Sequence, residues 1–483
     1  MRRRSPRPHP LPLELDAAAM RALLDAVAER LVPAVASLGE QPMHRLTGGE
    51  RLARALREPE LPEEGADLDA LLRLLFDRAI PASLNAASGG YMAYVPGGGL
   101  FASAVAELIA LATNRYTGVW MAAPGLVRLE QNVVEWLCSV VGYGAGAGGI
   151  LTSGGSMATL VATITARRER LPPDFLRGVV YASDQAHHSV RKAALLAGFL
   201  PERVRSVPSD ARFRLDVAEL ARAMARDRDE GLTPAVVVAS AGTTNTGAVD
   251  PLPAVAELAA EHGAWLHVDA AYGGFFAMTE RGRHALAGIE RADSVTLDPH
   301  KGLFLPYGTG ALVVRDRGAL KRTHAVVGEY MPPMQTDEDH VDFCDLGPEL
   351  SREARGLRVW LPLKLHGARA FREALDEKLD LAREVAEALR ATPDVELVAE
   401  PELSLLAFRL RPAGVTDEAA LEALNRKVLR AVNARQRVFL TGTHARGRWV
   451  IRVCLVSFRS RRAQVDALLE DLRAAFDEAR AAA

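Results

Sequence analysis

Lysine and cysteine are both scarce in this sequence. Six of 483 residues are lysine, against 53 arginines, so a lysine that stands beside other reactive side chains is informative. The cysteines form no CxxC pair, which argues against a disulfide framework or a zinc site and favours a reducing, cytoplasmic location. They are Cys138, Cys344 and Cys454. With 59 basic and 61 acidic residues, the chain lacks the basic excess of a nucleic-acid-binding protein.

The sequence also lacks a long uncharged apolar run. No such run reaches the ~18 residues of a membrane-spanning helix, so we expect no transmembrane segment. Residues 1–12 carry arginines and prolines but no apolar core, and we therefore expect no secretory signal. With 49% hydrophobic and 25% charged residues, the composition is that of an ordinary globular protein with large buried cores.

Short β-branched runs alternate with helical stretches between residues 90 and 315. The runs lie at 179–181, 236–238, 265–268, 295–297 and 312–314. Continuous apolar strands separated by helices are typical of a mostly parallel sheet that is covered by helices on both faces. We therefore predict an α/β fold, in which ligands bind at the carboxyl ends of the strands.

The pattern predicts four segments along the chain. Residues 1–89 form a helical arm, residues 90–325 the large α/β domain, residues 326–346 an acidic, proline-marked mobile loop, and residues 347–483 a smaller α+β domain. In the arm, one helix follows a capping Asp16 and a second spans Leu68 to Asp77. The first helix carries an apolar stripe of Met20, Leu23, Leu24, Val27 and Leu31. This stripe needs a surface to pack on, which points to a partner subunit.

Two reactive groups follow predicted strands. Lys301 ends the sequence Asp-Pro-His-Lys after 295–297, and Asp269 follows 265–268. A lysine at a strand's carboxyl end is placed for Schiff-base chemistry, although an isolated lysine in a loop is more often a surface residue. A buried Asp269 needs a cation such as a protonated pyridine nitrogen, because an unpaired buried charge is costly.

Three further loops carry polar groups at strand ends. Leu-Thr-Ser-Gly-Gly-Ser at 151–156 precedes a helical run, whose N–H groups suit a phosphate, although Gly-Gly turns are common. His187 and His188 follow the strand at 179–181. Since no acidic or cysteine partner stands at metal-ligand spacing, we expect no metal site. Gly242–Gly247 adds hydroxyl groups after the strand at 236–238.

Together these loops resemble the group II pyridoxal-phosphate-dependent amino acid decarboxylases. The resemblance covers roughly Tyr91 to the C-terminus and is carried by Ser-Asp-Gln-Ala-His at 183–187, Ala-Gly-Thr-Thr at 241–244, His-Val-Asp-Ala-Ala-Tyr at 267–272 and Pro-His-Lys at 299–301. It implies the aspartate aminotransferase-like fold (fold type I), pyridoxal 5'-phosphate as cofactor, and decarboxylation of an L-amino acid to an amine and CO2. It also implies a homodimer with active sites at the subunit interface.

The resemblance also implies roles for individual residues. Lys301 would form the internal aldimine, Asp269 would pair with the pyridine nitrogen, and His187 would stack on the ring near the substrate carboxylate. Tyr330, 29 residues after Lys301, matches the family's mobile-loop tyrosine, which reprotonates the substrate carbon. The alternative is that Tyr330 is an ordinary aromatic residue in a loop, but the matched spacing favours the catalytic role. The other implied cofactor contacts are to the phosphate (Gly155, Ser156 and His300) and to the ring (Thr244 and Ala271).

Some features leave alternatives open. Asp298 stands where many relatives have Asn, which replaces a donor near the phosphate by an acceptor, and an ionised Asp298 would repel that group. An aldehyde-forming decarboxylase and an aminotransferase use the same scaffold. Aminotransferases of this fold usually need an arginine for the substrate carboxylate, and Arg452 near the C-terminus could be misread as that arginine. The loops show no additional cationic residue that would select an acidic side chain. We therefore favour an aromatic or other bulky substrate.

Overall fold

A computed structural model of the chain describes residues 13–326, 337 and 339–481. Its strands form a seven-stranded sheet in the order β1-β7-β6-β5-β4-β2-β3 and a four-stranded sheet in the order β10-β11-β9-β8. The strands of the larger sheet are β1 (Gly148–Thr152), β2 (Gly178–Ser183), β3 (Val204–Val207), β4 (Thr233–Ser240), β5 (Trp265–Asp269), β6 (Ser294–Leu297) and β7 (Gly310–Val314). Those of the smaller sheet are β8 (Val395–Ala399), β9 (Leu405–Leu410), β10 (Thr441–Ala445) and β11 (Arg448–Cys454).

Helices surround both sheets. The helices that come before α13 along the chain are α1 (Ala17–Ala36), α2 (Gly49–Ala55), α3 (Leu68–Arg73), α4 (Phe101–Thr113), α5 (Pro124–Val140), α6 (Gly155–Arg170), α7 (His188–Leu196), α8 (Val217–Asp229), α9 (Leu252–Glu261), α10 (Glu280–Ala285), α11 (Pro299–Gly302) and α12 (Arg317–His324). The later helices are α13 (Leu357–Arg390), α14 (Glu418–Ala434) and α15 (Arg462–Ala481).

The larger sheet confirms the predicted α/β fold. Strand β7 runs antiparallel to both of its neighbours, β1 and β6, while the pairs β6–β5, β5–β4, β4–β2 and β2–β3 are parallel. Both faces of β4 are covered, because Val236 and Val238 pack with Ala166 of α6, and Val237 packs with Leu220 of α8. Burial on both faces explains the continuous apolar sequence of this strand.

Three strands carry no strand signal in their own sequence. Strands β1, β3 and β10 have the sequences Gly-Gly-Ile-Leu-Thr, Val-Arg-Ser-Val and Thr-Gly-Thr-His-Ala, so none carries a run of β-branched residues. Their pairing partners hold them in the sheets instead. In the smaller sheet, Leu406 and Phe408 of β9 belong to a second core that includes residues of α13, α14 and α15. Helix α13 is kinked at Gly367, where φ is +74°.

The N-terminal arm contains the predicted helices, with one difference. Asp16 caps α1, because its Oδ1 accepts a hydrogen bond from the N–H of Ala19 at 2.8 Å. No residue of α1 is buried. The second helix was predicted as one element over Leu68–Asp77, but the structure has α3 followed by a π-helical turn at Leu74–Ala79. A single widened turn of this kind is not encoded in the spacing of apolar residues.

Arg452 on β11 links the two sheets. It is buried, and its guanidinium donates to the carbonyls of Asn245 (2.9 Å), Tyr94 (3.2 Å) and Thr244. The small sheet thereby supports the loop after β4. Within the described residues, no helix combines the length and apolar character needed to cross a membrane.

Candidate active site

The strands β1, β2, β4, β5 and β6 all point the same way, so their carboxyl ends lie along one edge of the larger sheet. The loops that follow them enclose a cavity of about 300 Å³. This is where the rule for α/β sheets places a ligand. The lining residues come from these loops: Ser153, Gly154, Gly155, Ser156, Met157, His187, Ser189, Ser240, Gly242, Thr243, Thr244, Asp269, Ala271, Tyr272, Asp298, His300 and Lys301.

Lys301 lies in the short helix α11 that follows β6. Its Nζ is 2.9 Å from Oδ2 of Asp298, which is itself buried. Burial alone would lower the pKa of the Lys301 amine, but the attraction of the Asp298 carboxylate outweighs burial and raises this pKa. In the protein without cofactor, the amine is therefore held as an ammonium group against Asp298.

Asp269 is the last residue of β5 and lies beside Ser240 of β4 and Thr296 of β6. Its Oδ1 accepts a hydrogen bond from the N–H of Ala271 at 3.2 Å. Among the described residues, no lysine, arginine or histidine forms an ion pair with Asp269. The carboxylate is thus oriented by the backbone and open to a cation inside the pocket.

His187 caps the start of α7 and projects into the same pocket. Its Nδ1 accepts a hydrogen bond from the N–H of Ser189 at 3.3 Å and lies 2.7 Å from the hydroxyl of that serine. A backbone N–H can only donate, so Nδ1 carries no proton and the neutral ring carries its proton on Nε2. Burial lowers the pKa of His187, which favours this neutral form. His187 therefore offers an Nε2–H donor.

The turn before α6 brings backbone close to its neighbours. A Cβ atom at Gly155 would lie 3.2 Å from the Cβ of Ala271, and one at Gly310 would collide with the Cα of Gly154. Only glycine fits at these two positions, and no side chain there covers the first N–H groups of α6. Beside this turn, His300 donates from Nδ1 to the carbonyl of Thr309 at 2.7 Å.

Eight of the predicted site residues line this one pocket. They are Gly155, Ser156, His187, Thr244, Asp269, Ala271, His300 and Lys301. The ninth, Tyr330, lies outside the described residues. Among those that are described, no three His, Cys, Asp or Glu side chains form a group that could hold a metal ion.

Sequence reasoning did not assign the roles of three supporting residues. Ser189 fixes the tautomer of His187, and its position two residues after a capping side chain was the available signal. The phenol of Tyr272 accepts from the N–H of Ser404 at 2.9 Å, which ties the pocket to the smaller sheet. Arg452 was weighed as a substrate-binding arginine, but the carbonyls of Thr244, Asn245 and Tyr94 occupy its donors.

Comparison with known proteins identifies the family. The profile "Pyridoxal-dependent decarboxylase conserved domain" matches residues 52–411. The chain belongs to the pyridoxal-dependent decarboxylase family. It is therefore a pyridoxal-phosphate-dependent amino acid decarboxylase of fold type I, which confirms the predicted family, fold, cofactor and enzyme class.

Individual relatives cover nearly the whole chain. An aromatic-L-amino-acid decarboxylase of Bacillus atrophaeus is 33% identical over 467 residues, which are 96% of this chain and 97% of the relative. A phenylacetaldehyde synthase of Petunia hybrida is 30% identical over 411 residues, or 81% of each chain. The crystal structure of Oryza sativa TDC with PLP and tryptamine has a TM-score of 0.92 and 30% identity, and covers 97% of this chain and 99% of that one.

The substitution Gly310→Ala tests the close packing of Gly310 against the turn at Gly154, just before α6. The new methyl group would force the turn at Gly154 to move, because backbone rather than a flexible side chain lies in its way. We expect the dissociation constant of pyridoxal phosphate, measured by absorbance titration, to rise about tenfold, which corresponds to roughly 1.4 kcal/mol. Gly125→Ala is the matched control, since a Cβ there meets nothing within 4 Å. Unchanged affinity in Gly310→Ala would contradict the inference that this close packing supports cofactor binding.

Proposed function

We propose that this decarboxylase acts on an aromatic L-amino acid and releases the corresponding amine and CO2. The observation that carries the proposal is the convergence of an amine, an unpaired carboxylate and a neutral histidine donor in one pocket: Lys301, Asp269 and His187. The described lining contains no arginine, which argues against an acidic substrate side chain. The named activity of the bacterial relative and the tryptamine in the rice structure support the aromatic class.

Lys301 and Asp269 are the proposed anchors of the cofactor. Pyridoxal phosphate, when bound, supplies a protonated ring that withdraws electrons from the breaking bond at the substrate Cα. Asp269, which has no cationic partner among the described side chains, would hold the ring nitrogen in its protonated form. Lys301 would hold the cofactor through its amine.

The loop before α6 is the proposed phosphate site. Gly155 and Ser156 present N–H groups at the start of a 16-residue helix, where the helix dipole also favours an anion. His300 stands beside them. The structure fits a flat ring next to this site, since the described lining includes His187, Thr244 and Ala271 from three different loops.

His187 and Tyr330 are the proposed groups that act on the substrate. The Nε2–H of His187 would orient the substrate carboxylate, and exclusion of water from that carboxylate would favour its loss as CO2. Tyr330, assigned from its spacing after Lys301, would return a proton to the substrate carbon. Both roles lead to an amine as the product.

Two alternatives on the same fold make different products. Arg452 does not support the aminotransferase alternative, because its guanidinium already donates to backbone carbonyls. The aldehyde-forming alternative has one specific observation in its favour, the similarity to the petunia phenylacetaldehyde synthase. The position of the proton donor therefore decides between amine and aldehyde.

A substrate screen tests the proposed function directly. We expect CO2 release from tryptophan, tyrosine or phenylalanine to exceed that from glutamate or 2,4-diaminobutyrate by about a hundredfold in kcat/KM, equivalent to roughly 3 kcal/mol. Lys301→Ala is the control for background reaction and should show no turnover, because the amine that bonds to the cofactor is gone. A clear preference for glutamate would overturn the aromatic assignment.

Tyr330→Phe tests the proton donor, because it removes the phenol and retains the shape. We expect the variant to keep releasing CO2 but to shift its product from amine toward aldehyde, ammonia and hydrogen peroxide in the presence of oxygen. Product partition is measured for both proteins by chromatography. If the variant makes only amine at an undiminished rate, Tyr330 is not the donor; if the wild type makes mostly aldehyde, the alternative product is correct.

We also propose a cytoplasmic homodimer with active sites at the subunit interface. Helix α4 is the main support: Phe101, Val105, Leu108 and Ile109 lie on one face of it and are exposed, with Leu108 at 51%. Apolar rows of this kind on a described surface are typical of interfaces. The domain division after residues 89, 325 and 346 is part of the same proposal. The arm of residues 1–89 would add the exposed Met20 and Leu24 to the contact surface.

Leu108→Glu tests the dimer. A charge in the middle of the α4 row would have to be buried between subunits, so we expect a shift from twice the 52.0 kDa chain mass to a single chain mass in sedimentation experiments at micromolar concentration. Leu61→Glu is the control, because Leu61 is 92% exposed in the loop before α3. A wild-type protein that is monomeric and fully active would contradict the proposed interface.

A further inference from the structure

Asp298 has an oxygen without a partner in the most buried part of the pocket. The residue is 2% exposed, and its Oδ2 contacts the Lys301 amine at 2.9 Å. Its Oδ1 is buried and accepts no hydrogen bond from any described residue. A buried carboxylate oxygen without a donor is unfavourable, so an unpaired atom at this place indicates a partner that arrives with a ligand.

The same carboxyl group forms part of the proposed phosphate site. A Cβ atom at Gly155 would lie 3.0 Å from Oδ2 and 3.3 Å from Oδ1 of Asp298. Asp298 thus sits directly beside the first turn of α6, where the backbone N–H groups attract an anion. A phosphate bound at this turn has an acidic side chain as its neighbour.

His300 has no proton that could lie between Asp298 and a bound phosphate. The Nδ1–H of His300 is committed to the carbonyl of Thr309, and burial lowers the pKa of His300, so Nε2 carries no hydrogen in the neutral ring. This Nε2 is 3.7 Å from Oδ2 of Asp298. Besides Lys301 and His187, the titratable groups that line the pocket or act on those two residues are Asp269, His188, Tyr272 and Cys454.

Asp298 would lose its ion-pair contact where the Lys301 amine holds the cofactor instead. Lys301 is its ion-pair partner, and that amine becomes engaged by the cofactor. An ionised Asp298 would then face a phosphate ester, whose second ionisation has a pKa of about 6. Two adjacent anions in a buried site repel each other, which favours uptake of a proton by one of them.

We propose that Asp298 and the cofactor phosphate share one proton, taken up from solvent when the cofactor binds. In this form the carboxyl O–H of Asp298 donates to a phosphate oxygen and takes the place of an amide donor. The inference rests on the proposed cofactor site. It adds to phosphate binding a pH dependence that binding of the ring does not share.

The test compares pyridoxal phosphate with pyridoxal, which lacks the phosphate. Dissociation constants of both are measured by absorbance titration from about pH 6 to about pH 10. The ratio of the two constants cancels the titration of Lys301, which both ligands share. For the wild type, we expect the advantage of pyridoxal phosphate over pyridoxal to fall by up to about tenfold per pH unit on the alkaline side, as the shared proton is lost.

Asp298→Asn is the decisive variant, because an amide donates to the phosphate at every pH. We expect its ratio to stay constant across the same range, whereas Asp316→Asn, a control at an exposed site, should behave like the wild type. The ³¹P resonance of the bound cofactor provides a second readout: its chemical shift should change with pH in the wild type and remain constant in Asp298→Asn. Should Asp298→Asn not fold, the wild-type ratio and ³¹P titration still test the proposal.

Two results would overturn the proposal in different ways. If the ratio has the same pH dependence in the wild type and in Asp298→Asn, the shared proton is refuted while the cofactor site stands. If pyridoxal phosphate remains bound in Lys301→Ala with the affinity and absorbance of the wild type, the proposed cofactor site itself is wrong, and the inference fails with it.

Discussion

Strand direction is the constraint on which the site depends. Because β1, β2, β4, β5 and β6 run the same way, the residues that follow them meet at one edge of the sheet, although they are separated by up to about 150 positions in sequence. The antiparallel β7 completes this arrangement, since it joins β1 to β6 and brings the Gly154 turn beside Asp298 and His300. The chemistry of the pocket follows from this convergence.

Charge balance is the second constraint. The pocket places one amine between two carboxyl groups, with Asp298 paired to Lys301 and Asp269 unpaired among the described side chains. A cationic ring would balance Asp269, whereas an anionic phosphate beside Asp298 would need the shared proton that we propose. The neutral state of His187, enforced by the N–H of Ser189, keeps a further positive charge out of the site.

Much of this arrangement was predictable because it depends on local sequence. Runs such as 236–238 identified the buried strands, and polar residues directly after them identified Lys301, Asp269 and His187. Features that depend on distant contacts were not predictable. The strand β3 exists because β2 pairs with it, and Arg452 acts through carbonyls more than 200 residues away. The unpartnered Oδ1 of Asp298 likewise depends on how α6 and α11 meet.

The central claim is that Lys301 is the residue that bonds to the cofactor. It can be tested by reducing the holoenzyme with borohydride, which makes the bond permanent, and then mapping the pyridoxyl group by peptide mass spectrometry. The account predicts a single label on the peptide that contains Lys301, in near-stoichiometric yield. A label on any of the other five lysines, or an active holoenzyme without a label, would contradict it.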